Sequence, residues 1–279
     1  MEYGVTIFFT DYSIGPAELA VAVEERGFDS LWVAEHSHIP TSRATPFPGG
    51  GDLPKMYYDV MDPFVTLSAA AAVTTRIKLA TGICLVPQRD PIQTAKSVAS
   101  LDRVSNGRFV FGVGGGWNVE EATNHGLRDF PRRWKLMRER IEAMKAIWQE
   151  KEAEYHGEFV DFDPVYAWPK PVQQPHPPVV VAGAYPHGAR RAARYGEGWV
   201  PINPGRVLGE QIQGFRALCE EAGRPELPVT VFGAPMKPQS LARCRDDGVA
   251  RAVFALPPGS SEDVLPLLDR LVDLRDSLQ

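Results

Sequence analysis

Cysteine is scarce: Cys84, Cys219 and Cys244 are the only three in 279 residues, far apart and odd in number. That pattern excludes a disulfide framework and a Cys-based zinc cluster, and it fits reduced thiols in a cytoplasmic protein. No apolar run approaches the ~20 residues that span a bilayer. The start, MEYGVTIFFTDY, has neither the basic residues nor the apolar stretch of a signal peptide. The expectation is no membrane association. Clusters of Lys and Arg are also missing, and 30 of them against 35 Asp and Glu leave a net charge of −5. A nucleic-acid binder would need a basic face to displace counterions, so that class is set aside.

What is present is ordinary globular material, 44% hydrophobic and 23% charged, and enough of it to bury a large core. Short β-branched and aromatic runs alternate with amphipathic stretches along the chain. The strand candidates are GVTIFFT (4–10), SLWVA (30–34), IKLATG (77–82), RFVFGVG (108–114), VVVAG (179–183), GWVPI (198–202), VTVFG (229–233) and RAVFAL (251–256). Helix starts fall between them. Gly15-Pro16, Asp62-Pro63 and Asp90-Pro91 put proline at the first helical position, and the last two add an aspartate cap. The longest helix is expected at Arg133–Glu150, and Ser260 and Ser261 open the last one.

The strands show little polar alternation, as expected for parallel strands covered on both faces. Eight of them, each followed by a helix, predict an α/β protein, a (β/α)8 barrel forming a single domain over 1–279. A doubly wound open sheet is the structural alternative, but no linker or composition shift marks the second domain it would need. Two insertions exceed a minimal barrel. Residues 37–61, rich in Pro and Gly, follow strand 2 and read as a lid in which Met56, Tyr57 and Tyr58 can close over an aromatic ligand, or as a surface excursion. Residues 155–178, following strand 4 and its helix, read as a hairpin with a proline-rich return.

Barrel chemistry sits where strands end. Strand 2 ends in LWVAEHSHIP, with His36 and His38 directly after Glu35. A His-x-His pair can open a metal site, but further ligands must come from other strand ends. Strands 5 to 8 offer glycines, prolines and Asn203 instead, and His187 falls where helix capping explains it. No metal is expected. The ring of strand ends is rich in glycine: GVGGGW (112–117) and VAGAYPHG (181–188) each end a strand and precede a helix. Glycine lets backbone N–H groups approach a phosphate, and a helix N-terminus adds favourable partial charge. The apolar run Ile83-Cys84-Leu85-Val86 after strand 3 can back a flat ring or pack under the lid.

Taken in order, GFDSLWVAEH (27–36), DPFVTLSAAAAVTTRIKLATGI (62–83), RDPIQTAKSVASLDRVSNGRFVFGVGGGW (89–117) and PPVVVAGAYPHGARRAARYGEGWV (177–200) resemble the bacterial-luciferase-like superfamily of flavin- and deazaflavin-dependent oxidoreductases. The most specific part is SLDRVSNGRFVFGVGGGW with EEATNHG after it. The resemblance implies a (β/α)8 barrel with a non-prolyl cis peptide at Gly82–Ile83 backing the central ring of the cofactor. It implies phosphate binding near Ala182, Gly183 and Ala184, with Gly114, Gly115, Gly116 and Trp117 lining the other side. Within the superfamily the chain is most similar to the branch that uses coenzyme F420. That implies hydride transfer between the deazaflavin and a small organic substrate, with His36 handling a proton and Glu35 behind it. A relative of that branch has a glutamate where this chain has Trp117. The alternative is an FMN-dependent monooxygenase using reduced flavin, O2 and a separate reductase. A homodimer is the expected assembly.

Overall fold

The structure, a computed structural model, describes residues 1–202 and 205–278. Its main sheet runs through eight parallel strands: β1 (Glu2–Ile7), β2 (Ser30–Val33), β3 (Lys78–Thr81), β4 (Phe109–Gly114), β5 (Val179–Ala182), β6 (Gly198–Val200), β7 (Thr230–Phe232) and β8 (Arg251–Ala255). In space β1 lies between β8 and β2, and the order continues β3, β4, β5, β6 while β7 flanks β8. The ends of this path meet through the parallel bridge Trp199–Val229 and the 3.0 Å bond from Trp199 N–H to the Pro228 carbonyl. The result is a nearly closed (β/α)8 barrel. A two-residue strand, Cys84–Leu85, prolongs β3 and pairs with the end of β4.

Every residue of β2, β4, β5 and β6 is buried, because one face lies under helices and the other fills the barrel. The inner filling is Trp32, Ala80, Val110, Val180, Ala182, Val200 and Val253, capped on the mouth side by Ile83 and Phe232. This plug makes the barrel a packed core with a floor just below its mouth. Around it stand α1 (Pro16–Glu25), α2 (Pro63–Val73), α3 (Pro91–Val104), α4 (Val119–Asn124), α5 (Arg133–Gln149), α6 (His187–Tyr195), α7 (Leu208–Glu221), α8 (Pro238–Asp246) and α9 (Ser261–Asp276).

Local sequence sets where these begin. Asp62 accepts from the Phe64 N–H at 2.8 Å and Asp90 from the Gln93 N–H at 2.8 Å, each just ahead of a proline. Ser260 and Asp263 form a reciprocal capping box. Each such cap stabilises its helix by about 1 kcal/mol.

Some boundaries differ from expectation. β1 covers 2–7 rather than 4–10, since its partners on both sides run out: Thr6 pairs with Ala255 and Ile7 with Val33. The hairpin after α5 begins earlier, pairing Ala153–His156 with Asp161–Val165. His187 is the first residue of α6, and no side chain caps that helix, so capping does not explain it. Asn203, expected to end the sixth strand, lies outside the described residues. No helix among the described residues is long and apolar enough to cross a membrane.

Candidate active site

The ends of β1 to β5 and the loop 37–61 enclose a cavity of about 240 Å3 at the barrel mouth. Gly82, Ile83, Gly114, Gly115, Gly116, Trp117 and Ala182 line it together with Glu35 and His36. Gly183 and Ala184 do not. Gly183 donates its N–H to the Val200 carbonyl and accepts from Trp199 Nε1, while Ala184 is exposed at the start of α6. Larger hollows of about 420 and 410 Å3 lie elsewhere, between α7 and α8 and at the opposite end of the barrel. The second is at the N-terminal face, where barrels place stability rather than chemistry. Arg243 and Asp247 pair in the first, but among the described residues neither is lined by a histidine hydrogen-bonded to a buried carboxylate, as the mouth is.

His36 is 8% exposed and reaches the cavity from the end of β2. Its Nδ1–H donates to both carboxylate oxygens of Glu121, at 2.9 and 3.1 Å. Glu121 is fully buried in the first turn of α4, where the Asn118 cap accepts its backbone N–H at 3.0 Å. With Nδ1 occupied, Nε2 is the ring nitrogen left to face a ligand. Charge-assisted bonds of this kind fix both tautomer and ring orientation.

Glu35 is not the acid behind His36. Successive residues of an extended strand end point to opposite sides, and Glu35 turns toward the short strand after β3. There it accepts from the Leu85 N–H at 2.6 Å and from Arg89 Nε at 2.5 Å, and Arg89 also bonds Asp62 at the start of α2. Burial works against the Arg89 charge, but Glu35, Cys84 and Asp62 together outweigh it and move the guanidinium pKa up. Burial, reinforced by Glu35, keeps the Cys84 thiol protonated. The arrangement ties β2, the strand after β3 and α2 together just behind the cavity wall.

Gly82–Ile83 is a cis peptide, as the family resemblance implied. The Ile83 side chain forms the cavity floor, packed on the inner filling of the barrel. The glycine run beside it makes room for bulky side chains as well as backbone. A methyl on Gly114 would stand 1.9 Å from Ile83 Cδ1, and one on Gly115 would stand 2.6 Å from the Trp134 ring. Beside Gly116, Gln88 Nε2 is buried without a partner among the described residues, 3.4 Å from where a methyl on Gly116 would stand. Gly183 and Gly188 meet backbone to backbone, a methyl on Gly183 standing 2.7 Å from Gly188 Cα. That contact brings the end of β5 hard against the N-terminus of α6.

The loop 37–61 covers this site. Tyr57 lines the cavity, its ring 5.4 Å from His36 and 4.8 Å from Phe8, and burial raises its phenol pKa. Met56 and Tyr58 do not reach the cavity. Phe47, which the sequence did not single out, stands between Tyr57 and Trp117 at 5.3 and 5.9 Å. Trp117 meets the His36 ring edge-on at 5.8 Å, so the position that a relative fills with glutamate is here an aromatic wall. Thr45 fastens the loop, donating to Glu120 at 2.5 Å and accepting from the Val119 N–H. His38 belongs to this fastening: it bonds Ser37 and Asn124, and Ser37 also bonds His125 at 2.6 Å.

Glu121, Tyr57, Phe47 and Gln88 thus complete a site that the sequence located by its glycines and His36. The missed signal for Glu121 was the Asn118-x-x-Glu121 capping pattern, which starts two residues ahead of the conspicuous EEATNHG stretch and ends within it. Among the described residues no group of three His, Cys, Asp or Glu side chains could hold a metal ion.

Comparison with known proteins agrees with this fold. The chain is 41% identical over 276 residues to an uncharacterized protein of Mycobacterium tuberculosis, covering 97% of each. A monooxygenase from Streptomyces bottropensis superposes with a TM-score of 0.78 at 23% identity, covering 98% of both chains. An F420-dependent secondary alcohol dehydrogenase in complex with an F420-acetone adduct superposes with a TM-score of 0.77 at 17% identity, covering 100% of both. These two likenesses show the barrel fold. A luciferase-like monooxygenase model matches residues 16–241, and the chain belongs to that family.

Proposed function

We propose that the protein is an oxidoreductase moving a hydride between coenzyme F420 and a small organic substrate. The observation that carries this reading is the buried His36–Glu121 pair opening onto a cavity floored by Ile83 and the glycine run at the end of β4. A bound deazaflavin supplies the hydride chemistry at its C5 position.

The residues fit such a group. Gly82, Ile83, Gly114, Gly115, Gly116 and Trp117 would hold its ring, and Gln88 Nε2 offers a donor that nothing in the protein uses. The backbone around Ala182, Gly183 and Ala184, just ahead of α6, would hold its phosphate on the exposed Ala184 side, since the Gly183 N–H is already donated to Val200. The cavity of about 240 Å3 is below the ~300–1,000 Å3 of enclosed ligand sites, so a ring and a small substrate fill it. The rest of the cofactor must lie along the open rim.

In substrate oxidation His36 Nε2 accepts the hydroxyl proton, and Glu121 stabilises the positive ring that results. In the reverse direction the same nitrogen returns the proton. Tyr57, Phe47 and Trp117 exclude water, which strengthens each of these charges. Loop 37–61 acts as the lid that carries two of them.

Titration of the purified apoprotein with F420 and with FMN, followed by cofactor fluorescence, tests the reading. Saturable F420 binding is the expected outcome. Tight FMN binding with none for the deazaflavin would overturn it in favour of a flavin monooxygenase served by a separate reductase.

A further inference from the structure

We propose that the groove between α5 and α6 binds a chain of carboxylates continuing from the phosphate end of the cofactor. The proposal rests on the deazaflavin reading, because F420 carries an oligoglutamate tail beyond its phosphate whereas FMN ends there.

The groove encloses about 370 Å3. Trp134, Lys135 and Arg138 line it from α5 and Arg190, Arg191 and Arg194 from α6, and no carboxylate among the described residues lines it. Five cations in one groove stand out on a chain whose net charge is −5. Lys135 is engaged by Glu158, and Arg138 Nε lies 3.7 Å from Glu142. Arg190, Arg191 and Arg194 have no carboxylate partner among the described residues.

Such crowding of like charge is unfavourable unless an anion offsets it. Arg133 and Arg191 both stack on Trp134, at 4.6 and 3.7 Å. Their pKa values are lowered by burial, that of Arg133 also by the Arg191 charge. Tyr195 closes the groove. It is 7% exposed, and its hydroxyl is buried with no partner. A buried donor left unmade costs about 1–3 kcal/mol, which an acceptor oxygen in the groove would remove.

Two contacts join the groove to the mouth. Trp134 lines both hollows. A methyl built on Gly183 would stand 3.6 Å from Arg191 Nη1, so the first arginine of the groove flanks the backbone assigned to the phosphate. A chain leaving that point meets Arg191 and then the exposed Arg190 and Arg194.

The test is fluorescence titration of the full-length protein with deazaflavins carrying no glutamate, a short tail or a long tail, with FMN as a further ligand. Wild type and the Arg190→Ala/Arg194→Ala variant are compared at low and at high salt. Each carboxylate engaged is expected to raise affinity roughly threefold, giving about tenfold between the tail-less and long-tailed forms. The gain should vanish in the variant and at about 0.5 M salt, where the Debye length is a few ångströms, while tail-less binding stays equal in both proteins. Equal affinity for tail-less and long-tailed forms, or a gain that survives in the variant, overturns the groove and leaves the deazaflavin reading standing. Free oligoglutamate binding as tightly as the long-tailed cofactor would assign the groove to an acidic peptide and overturn it too. FMN binding with no deazaflavin binding refutes the cofactor reading, and the tail with it.

Discussion

Replacing Gly114 by alanine should empty the mouth of its ligand, and replacing Ile83 as well should refill it. The added methyl would lie 1.9 Å from Ile83 Cδ1 and 3.2 Å from Cγ1, so the severe conflict is with the terminal methyl, while Cγ1 is crowded only slightly. Gly114 does not have a positive φ, and its backbone therefore accepts alanine. Ile83 can yield only by turning into the cavity of about 240 Å3 or by moving its backbone. Overpacking of this kind costs about 1–3 kcal/mol. If Ile83 enters the cavity, that cost appears as ~10- to 100-fold weaker cofactor binding. Ile83→Val removes the offending atom and by itself should cost about 0.5–1.5 kcal/mol of stability. The double variant should then bind within a few-fold of Ile83→Val alone, a coupling of about 1–2 kcal/mol in a double-mutant cycle. Fluorescence titration gives the affinities and urea unfolding the stabilities. Unchanged affinity in Gly114→Ala, or no rescue by Ile83→Val, would refute the placement of Ile83 beneath the ligand.

Glu121→Gln keeps an acceptor for His36 Nδ1–H but removes the charge. With a verified substrate, kcat should fall roughly 10- to 30-fold, the loss of about 1.5–2 kcal/mol of charge-assisted bonding, with cofactor affinity little changed; a rate within twofold of wild type would remove Glu121 from the mechanism. Arg89→Ala leaves the Glu35 carboxylate, whose side chain is 7% exposed, with the Leu85 N–H as its remaining donor. The loss should be about 3 kcal/mol, the low end for a broken buried pair, and pairing it with Glu35→Gln should recover most of it; a urea midpoint that hardly moves would contradict this. The lid fastening should loosen in acid. Burial, then the neighbouring His38, lowers the His125 pKa, with Glu121 and Glu35 opposing and Arg89 adding to the lowering. The freed residue takes its proton near the ordinary ~6.5, so the stabilisation present above that pH is lost as pH falls through it. Proteolysis within 37–61 should therefore speed up between about pH 7.5 and about pH 5.5, and His125→Asn should flatten the difference; equal cleavage at both would count against the latch.

Much of the barrel was legible because its signals are local. Asp62-Pro63 and Asp90-Pro91 cap and start helices by chemistry that extends over four residues. The buried strands are runs of β-branched and aromatic residues. The glycines at 114–116 marked the mouth because a strand end that must pass Ile83 and Trp134 closely has no room for a side chain. What stayed hidden depends on contacts across the sequence. Glu121 lies 85 residues from His36, and nothing near either residue announces the pairing. Glu35 looked like the natural partner because it is adjacent, yet adjacency on an extended strand sends the two side chains apart. In the lid, Met56, Tyr57 and Tyr58 read alike, and the one-turn helix Met56–Asp59 presents only the middle ring to the cavity. The groove arginines were visible as residues, but their shared face with Lys135 and Arg138 exists only once α5 and α6 pack.

The most direct test of the central claim is a crystal structure of the protein with bound F420. The deazaflavin ring should be seated against Ile83, with His36 Nε2 facing the side where substrate binds and the phosphate beside the backbone of residues 182–184. A ring found in the hollow between α7 and α8, or at the opposite end of the barrel, would contradict it.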